Sequence, residues 1–132
     1  MRDVEFRVWK KWKKKMFEVQ MIELLSKGHV VLPYGDKKWI YGNQTILMQW
    51  IGAVDKDGKN IFENDIIEEI DKIDNKKFRL LIKWNSFKCE FVGIAFEQKG
   101  DNELIIDVTY LQKFKVIGNK NENPELLNKK NA

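Results

Sequence analysis

The sequence predicts a mainly β protein, an all-β barrel or sandwich, on three observations. Short stretches rich in β-branched and aromatic residues recur along the chain, turn signals separate them, and no apolar pattern of helical period is sustained. A length of 132 residues with 43% hydrophobic and 12% aromatic residues supplies one substantial core and excludes disorder for most of the chain. Residues 1–132 therefore read as a single domain, with no linker and no repeat of solenoid length.

Val4, Phe6 and Val8 alternate with Glu5 and Arg7, the period of two of a half-buried strand, so the chain begins in a sheet. Lys10 to Lys15, interrupted only by Trp12, is too charged for burial and reads as an exposed connection. Phe17, Val19 and Met21 continue the alternation, yet Phe17, Met21, Leu24 and Leu25 also fit helical spacing. The expectation for 17–26 is strand passing into a short helix. Ser26 to Gln44 carries Gly28, Pro33, Gly35 and Gly42 and reads as loop with one short strand near Trp39 to Tyr41.

Ile46 to Ile51 is an apolar run, followed by Gly52 and then Asp57-Gly58, a pair that favours a tight turn with positive φ. Ile61, Phe62, Ile66, Ile67 and Ile70 come next, and Asp71 to Lys77 is a polar turn. Phe78 to Trp84 and Phe87 to Phe96 read as strands, Lys99 to Asn102 as a turn, and Leu104 to Val108 and Phe114 to Ile117 as the last two strands. Asn123-Pro124-Glu125 offers a capping side chain, Pro at the first helical position and an acid in the first turn, which predicts a helical turn over 124–127.

One Cys (Cys89) and one His (His29) cannot supply a Cys/His zinc set, and an intrachain disulfide is impossible. No apolar run approaches a membrane span, and the charged start does not precede an apolar signal region. The expectations are a cytoplasmic protein with no membrane partner, no metal and no cofactor. Charge is uneven: residues 1–50 carry ten Lys/Arg against five Asp/Glu, residues 51–110 nine against thirteen, and the last 22 five against two. Basic ends around an acidic middle either steer an anionic partner to one face or pair with one another, within a chain or between copies. Lys outnumbers Arg by 21 to 3, alongside many Asn and Ile, the composition of an AT-rich bacterial or phage genome. It is poorly suited to bidentate phosphate recognition.

Trp9, Lys10, Lys11, Trp12, Lys13, Lys14 and Lys15 interleave indoles with ammoniums, the residue types of a single-stranded nucleic acid groove. Lys37, Lys38 and Trp39 are further contact candidates. The alternative is a core Trp9, a Trp12 covering a sheet edge, and lysines that form a solvated hairpin tip and blunt edge pairing. No other constellation amounts to chemistry. Asp55-Lys56-Asp57-Gly58 lacks the Gly and Glu positions of a calcium loop. Glu63, Asp65, Glu68 and Glu69 have no nucleophile, His or metal set beside them. His29 reads as a loop residue and Cys89 as a packed thiol inside an apolar strand.

Phe6-Arg7-Val8-Trp9 followed by Met16, Leu47-Met48-Gln49-Trp50-Ile51-Gly52, Asp55-Lys56-Asp57-Gly58-Lys59, Ile61-Phe62-Glu63-Asn64-Asp65-Ile66, and Ile117-Gly118-Asn119 with Asn123-Pro124-Glu125-Leu126-Leu127 occur in that order. Together they resemble the YopX family of phage and prophage proteins over nearly the whole chain. Asn64 stands where the family has Gly, and Asn is the non-Gly residue that best tolerates left-handed φ. Trp50-Ile51-Gly52 stands where the family has Tyr-Thr-Gly, which keeps the aromatic and the β-branch and loses the Thr hydroxyl. The resemblance implies a small SH3-type β-barrel with additional strands, its core at about 46–118 between a basic segment 1–45 and a tail 119–132. It also implies oligomeric assembly and no established enzyme activity. The motif residues Met48, Gln49, Gly52, Asp57, Gly58, Glu63, Asn64, Asp65, Gly118, Asn119 and Pro124 are then structural, with the acids of 63–65 capping backbone amides. The functional expectation is a non-catalytic, self-associating module that meets a phage or host protein; the alternative is a nucleic-acid-binding protein that uses residues 9–15.

Overall fold

The computed structural model describes residues 3–97 and 100–128, which form two compact units dividing between Trp50 and Ile51. In the first unit β1 (Phe6–Lys10) and β2 (Lys15–Leu24) form a hairpin with Val8 opposite Phe17 and Lys10 opposite Lys15. β3 (His29–Pro33) pairs with β2, and β4 (Ile40–Tyr41) with β3. A 3-10 turn over Gly42–Gln44 leads into β5 (Thr45–Val54), whose first half pairs with β1, giving the order β4-β3-β2-β1-β5.

Residues 15–24 are strand throughout, because both edges of β2 are taken by neighbours, and a bulge between Val19 and Met21 absorbs the break in its alternation. β3 lies inside the segment expected to be loop. Val30, Val31 and Leu32 are a strand run, and Pro33 ends it without interrupting it.

In the second unit β5 runs on into the Asp55–Lys59 turn and returns as β6 (Asn60–Phe62). A five-stranded antiparallel sheet follows, ordered β10-β9-β8-β7-β11. Its strands are β7 (Asp65–Ile70), β8 (Lys77–Asn85), β9 (Glu90–Glu97), β10 (Gly100–Ile105) and β11 (Lys115–Asn119). Neither strand order closes on itself, so the structure is mainly β with open antiparallel sheets, and no closed barrel is seen among the described residues.

One face of the five-stranded sheet holds the main core: Ile67, Leu80, Ile82, Ala95 and Val116 meet Ala53, Ile61, Leu111 and Phe114. The stretch expected to be strand up to Val108 stops at Ile105, because Asp107 accepts the Tyr110 amide at 2.7 Å and caps a four-residue helix, α1 (Val108–Leu111). That helix brings Tyr110 edge-on to Phe114, 5.1 Å between ring centroids. On the other face the 3-10 turn Pro124–Leu127, at the bounds the sequence predicts, lays Leu126 and Leu127 over Ile66, Leu81, Ile94 and Ile117. Arg79 secures it by bonding Glu68 at 2.6 Å and the Leu126 carbonyl at 3.3 Å. Cys89, expected inside a strand, is instead exposed in the β8–β9 turn with φ 54, since β9 starts one residue later.

Asp55 ties the second unit together. Its buried carboxylate accepts the amides of Asp57 at 2.8 Å, Lys59 at 2.9 Å and Val116 at 3.0 Å, so one side chain closes the β5–β6 turn and holds β11. Burial alone would raise its pKa, but the bonds from Val116, Lys59 and Asp57 and the charge of Lys59 outweigh it and hold the carboxyl below the ordinary 3.8. As pH falls the unfolded chain takes up this proton first. The stabilisation is complete above about pH 3.8 and drains away as pH drops through the folded value. Asp55→Asn is expected to cost about 1–3 kcal/mol near neutral pH in urea melts. Its deficit against wild type should shrink below pH 3.8, and a constant deficit would remove the carboxylate from this role.

Candidate functional site

The candidate site is built around a lysine that the sequence places in solvent. Lys10 ends β1 at 2% exposure, with Val8 two residues earlier on the same face of the strand. Its ammonium pairs with Asp36 and sits 4.3 Å from the Phe17 ring centroid and 5.9 Å from that of Trp12. A buried ammonium needs such company, because desolvation without a carboxylate costs several kcal/mol. Phe17 stands opposite Val8 on β2, two register positions from Lys10, and adds a π face. The Lys10 hydrogen bond is the main cause that holds the Asp36 carboxyl below its ordinary 3.8; partial burial opposes it, and the Lys10 and Lys13 charges add to it.

This pin draws three segments together. The hairpin tip Lys11–Lys14 follows Lys10 directly, with Lys14 in the left-handed region at φ 48. The β3–β4 loop carries Asp36 and, beside it, Lys37, Lys38 and Trp39. The 3-10 turn at 42–44 receives two bonds from Lys11, its ammonium to the Asn43 carbonyl at 3.1 Å and its amide to the Gln44 carbonyl at 3.4 Å. Trp12 is 55% exposed and Trp39 40%, and Lys11, Lys13, Lys14, Lys15, Lys37 and Lys38 are all exposed. Among the described residues none of these six lysines forms an ion pair.

Two residues of the expected cluster leave it. Lys10 is the buried pin, and Trp9 is half-buried on the opposite face of β1, registered between Met16 and Ile46. Lys11, Trp12, Lys13, Lys14 and Lys15 stay, joined by Lys37, Lys38 and Trp39. The sequence reading missed Asp36 and Asn43. The available signal was that Asp36 is the single acid between Glu23 and Asp55.

The motif residues behind the family resemblance lie elsewhere and organise backbone. Met48 is buried on β5, while Gln49 pairs in register with Phe6. Gly52 and Gly58 have φ of 90 and 81, and Asp57 donates its amide to Asp55. Glu63 and Asn64 form the turn before β7, with Asn64 at φ 68, and Asp65 accepts the Phe62 amide at 2.8 Å. The Asn64 amide reaches the Ile82 carbonyl and its carbonyl takes the Lys120 amide, both at 2.8 Å, so this turn joins β8 to the end of β11. Asn119 caps the amides of Asn121 and Glu122 at 3.0 and 2.8 Å. A Cβ on Gly118 would lie 2.5 Å from the Asn123 carboxamide oxygen, which itself accepts the Asn119 amide just before Pro124.

Among the described residues no three His, Cys, Asp or Glu side chains come together as a metal set. His29 opens β3 with its ring against Gly42, where a Cβ would lie 2.5 Å away, so the ring is a packing element. Burial, with the charge of Lys120 second, lowers the Lys83 pKa on β8. No helix among the described residues is long and apolar enough to cross a membrane.

A model of the family described as YopX protein matches residues 5–128. Among solved structures, protein yopX from Bacillus subtilis aligns with a TM-score of 0.59 at 18% identity, covering 93% of this chain and 95% of that one. Protein EF1440 from Enterococcus faecalis aligns at 0.53 and 22% identity, covering 96% and 99%. No curated protein matches. At these identities the two structures speak for the fold alone.

Lys10→Met tests the pin without removing a charge from the exposed surface. Asp36 loses the partner that holds its carboxyl down, so in carbon-detected NMR titration it should rise to or above 3.8, and hydrogen exchange at 34–39 should quicken. An unmoved Asp36 titration would show that Lys10 does not anchor the loop.

Proposed function

This chain belongs to the YopX family, and we propose that in it the family's fold serves as a non-catalytic interaction module whose first unit receives an anionic partner. The observation that carries this reading is the convergence on Lys10 of two basic-aromatic segments separated by more than twenty residues of sequence. The pin engages one Lys and one Asp, and the six exposed lysines of these segments form no ion pair among the described residues. Like charges on converging segments repel one another, and an incoming anion relieves that repulsion. The non-catalytic part rests on the carboxylates. Asp55 and Asp65, the most buried acids, accept backbone amides, as structural groups do.

Self-association is a second reading, favoured by a separate observation. Met21, Leu24, Tyr34 and Tyr41 are all exposed in the first unit, and residues 51–110 carry the acidic excess that a second copy could offer. The proposal includes phage or prophage origin and a cytoplasmic setting, which a single exposed thiol suits.

Retention on immobilised heparin, a polyanion without bases, tests the anionic-partner reading. The protein should elute late at low salt, and Lys13→Glu with Lys14→Glu should elute markedly earlier. Elution at the void volume by the unmodified protein would end this reading. For self-association, light scattering over rising concentration should show mass above that of a single chain, and mass fixed at 15.7 kDa throughout would end that one.

A further inference from the structure

We infer that the anionic partner is single-stranded nucleic acid, with phosphates on the lysines of the hairpin tip and the β3–β4 loop and bases stacked on Trp12 and Trp39. The inference rests on the anionic-partner reading and adds the class of ligand. The lysines alone would accept any anion; the indoles make the distinction. Trp12 sits on a hairpin tip with 55% of its surface in water, and Trp39 on the neighbouring loop with 40%. Flat, partly exposed rings beside ammoniums that form no ion pair among the described residues match a ligand that alternates flat rings with negative charges. Duplex DNA offers the charges but keeps its base faces stacked inside, so both indoles would gain little from it. An acidic peptide offers charges with no ring to pair with each indole.

The surroundings of Trp12 support the assignment. Lys10, 5.9 Å from the Trp12 ring, is held by Asp36, so the hairpin base is fixed before any ligand arrives. Lys supplies compact point charges where Arg would fork onto base edges, which predicts binding that tolerates sequence. If four lysines neutralise phosphates, log affinity should fall with log salt at a slope of about −3 for a single strand.

The test is fluorescence anisotropy with labelled oligothymidylate, oligouridylate, an abasic strand of equal length and a duplex. The base-bearing strands should bind at least roughly 5- to 150-fold tighter than the abasic strand, the range for a single stacking contact, and tighter than the duplex. Trp12→Ala should bring base-bearing affinity down towards the abasic value, and Trp12→Phe should keep most of the difference. Trp12 is an exposed tip residue, and a melt recorded by circular dichroism confirms that each variant is folded. Equal affinity for base-bearing and abasic strands overturns the inference. If heparin is also retained, an anionic partner of another class stands, such as an acidic protein or the acidic segment of a second copy. If heparin is not retained, the anionic reading falls as well.

Discussion

A lysine ammonium taken out of water must be met by a carboxylate, and in the first unit that requirement fixes everything around the candidate surface. Lys10 meets Asp36 across the sheet, and a loop of six residues between β3 and β4 therefore has one place to go. Without the pair, Tyr34–Trp39 would be an ordinary exposed connection and its lysines would sample space independently. With it, the loop that carries Lys37 and Lys38 is tied to the strand end from which the hairpin tip begins. An ion pair of this kind adds little net stability against an apolar substitute, but it specifies a single arrangement, and here arrangement is what matters.

The second unit uses its buried polar groups in a different way. Asp55, Asp65 and Asn119 each accept backbone amides that turns leave over, and Asn64 takes the left-handed φ that its turn demands. These are the residues on which the family resemblance stands. They describe how the backbone changes direction, so membership in the family transfers a scaffold. The exposed lysines and indoles lie outside those motifs, Trp12 and Trp39 among them, and have to be argued from this chain's own geometry.

Elements with a strong local signal were legible in the sequence. The alternation of β1, the Asp57-Gly58 turn and the Pro124–Leu127 turn each depend on residues within a few positions, while the left-handed Asn64 was legible through the family resemblance. What was illegible depended on partners far along the chain. β3 looks like loop because Gly28, Pro33 and Gly35 crowd it, and pairing with β2 and β4 makes it a strand. Asp107 could as easily have sat in a strand end until its carboxylate found the Tyr110 amide. Cys89 follows from where β8 ends, a boundary that tertiary pairing sets.

Lys10 is the instructive failure. Val4, Phe6 and Val8 share an even-numbered parity that continues to Lys10, so the alternation that predicted β1 also pointed the lysine inward. Composition overruled periodicity in the reading, because four more lysines follow within five residues. The structure honours both. Parity buries Lys10, the turn then releases Lys11 to Lys15 to solvent, and the lone acid of the β3–β4 loop supplies the partner that parity requires. A charged residue at an inward position next to a charged run therefore carries information that the run as a whole does not. It names the residue that needs an opposite charge, and so it names the segment the run will be pinned against.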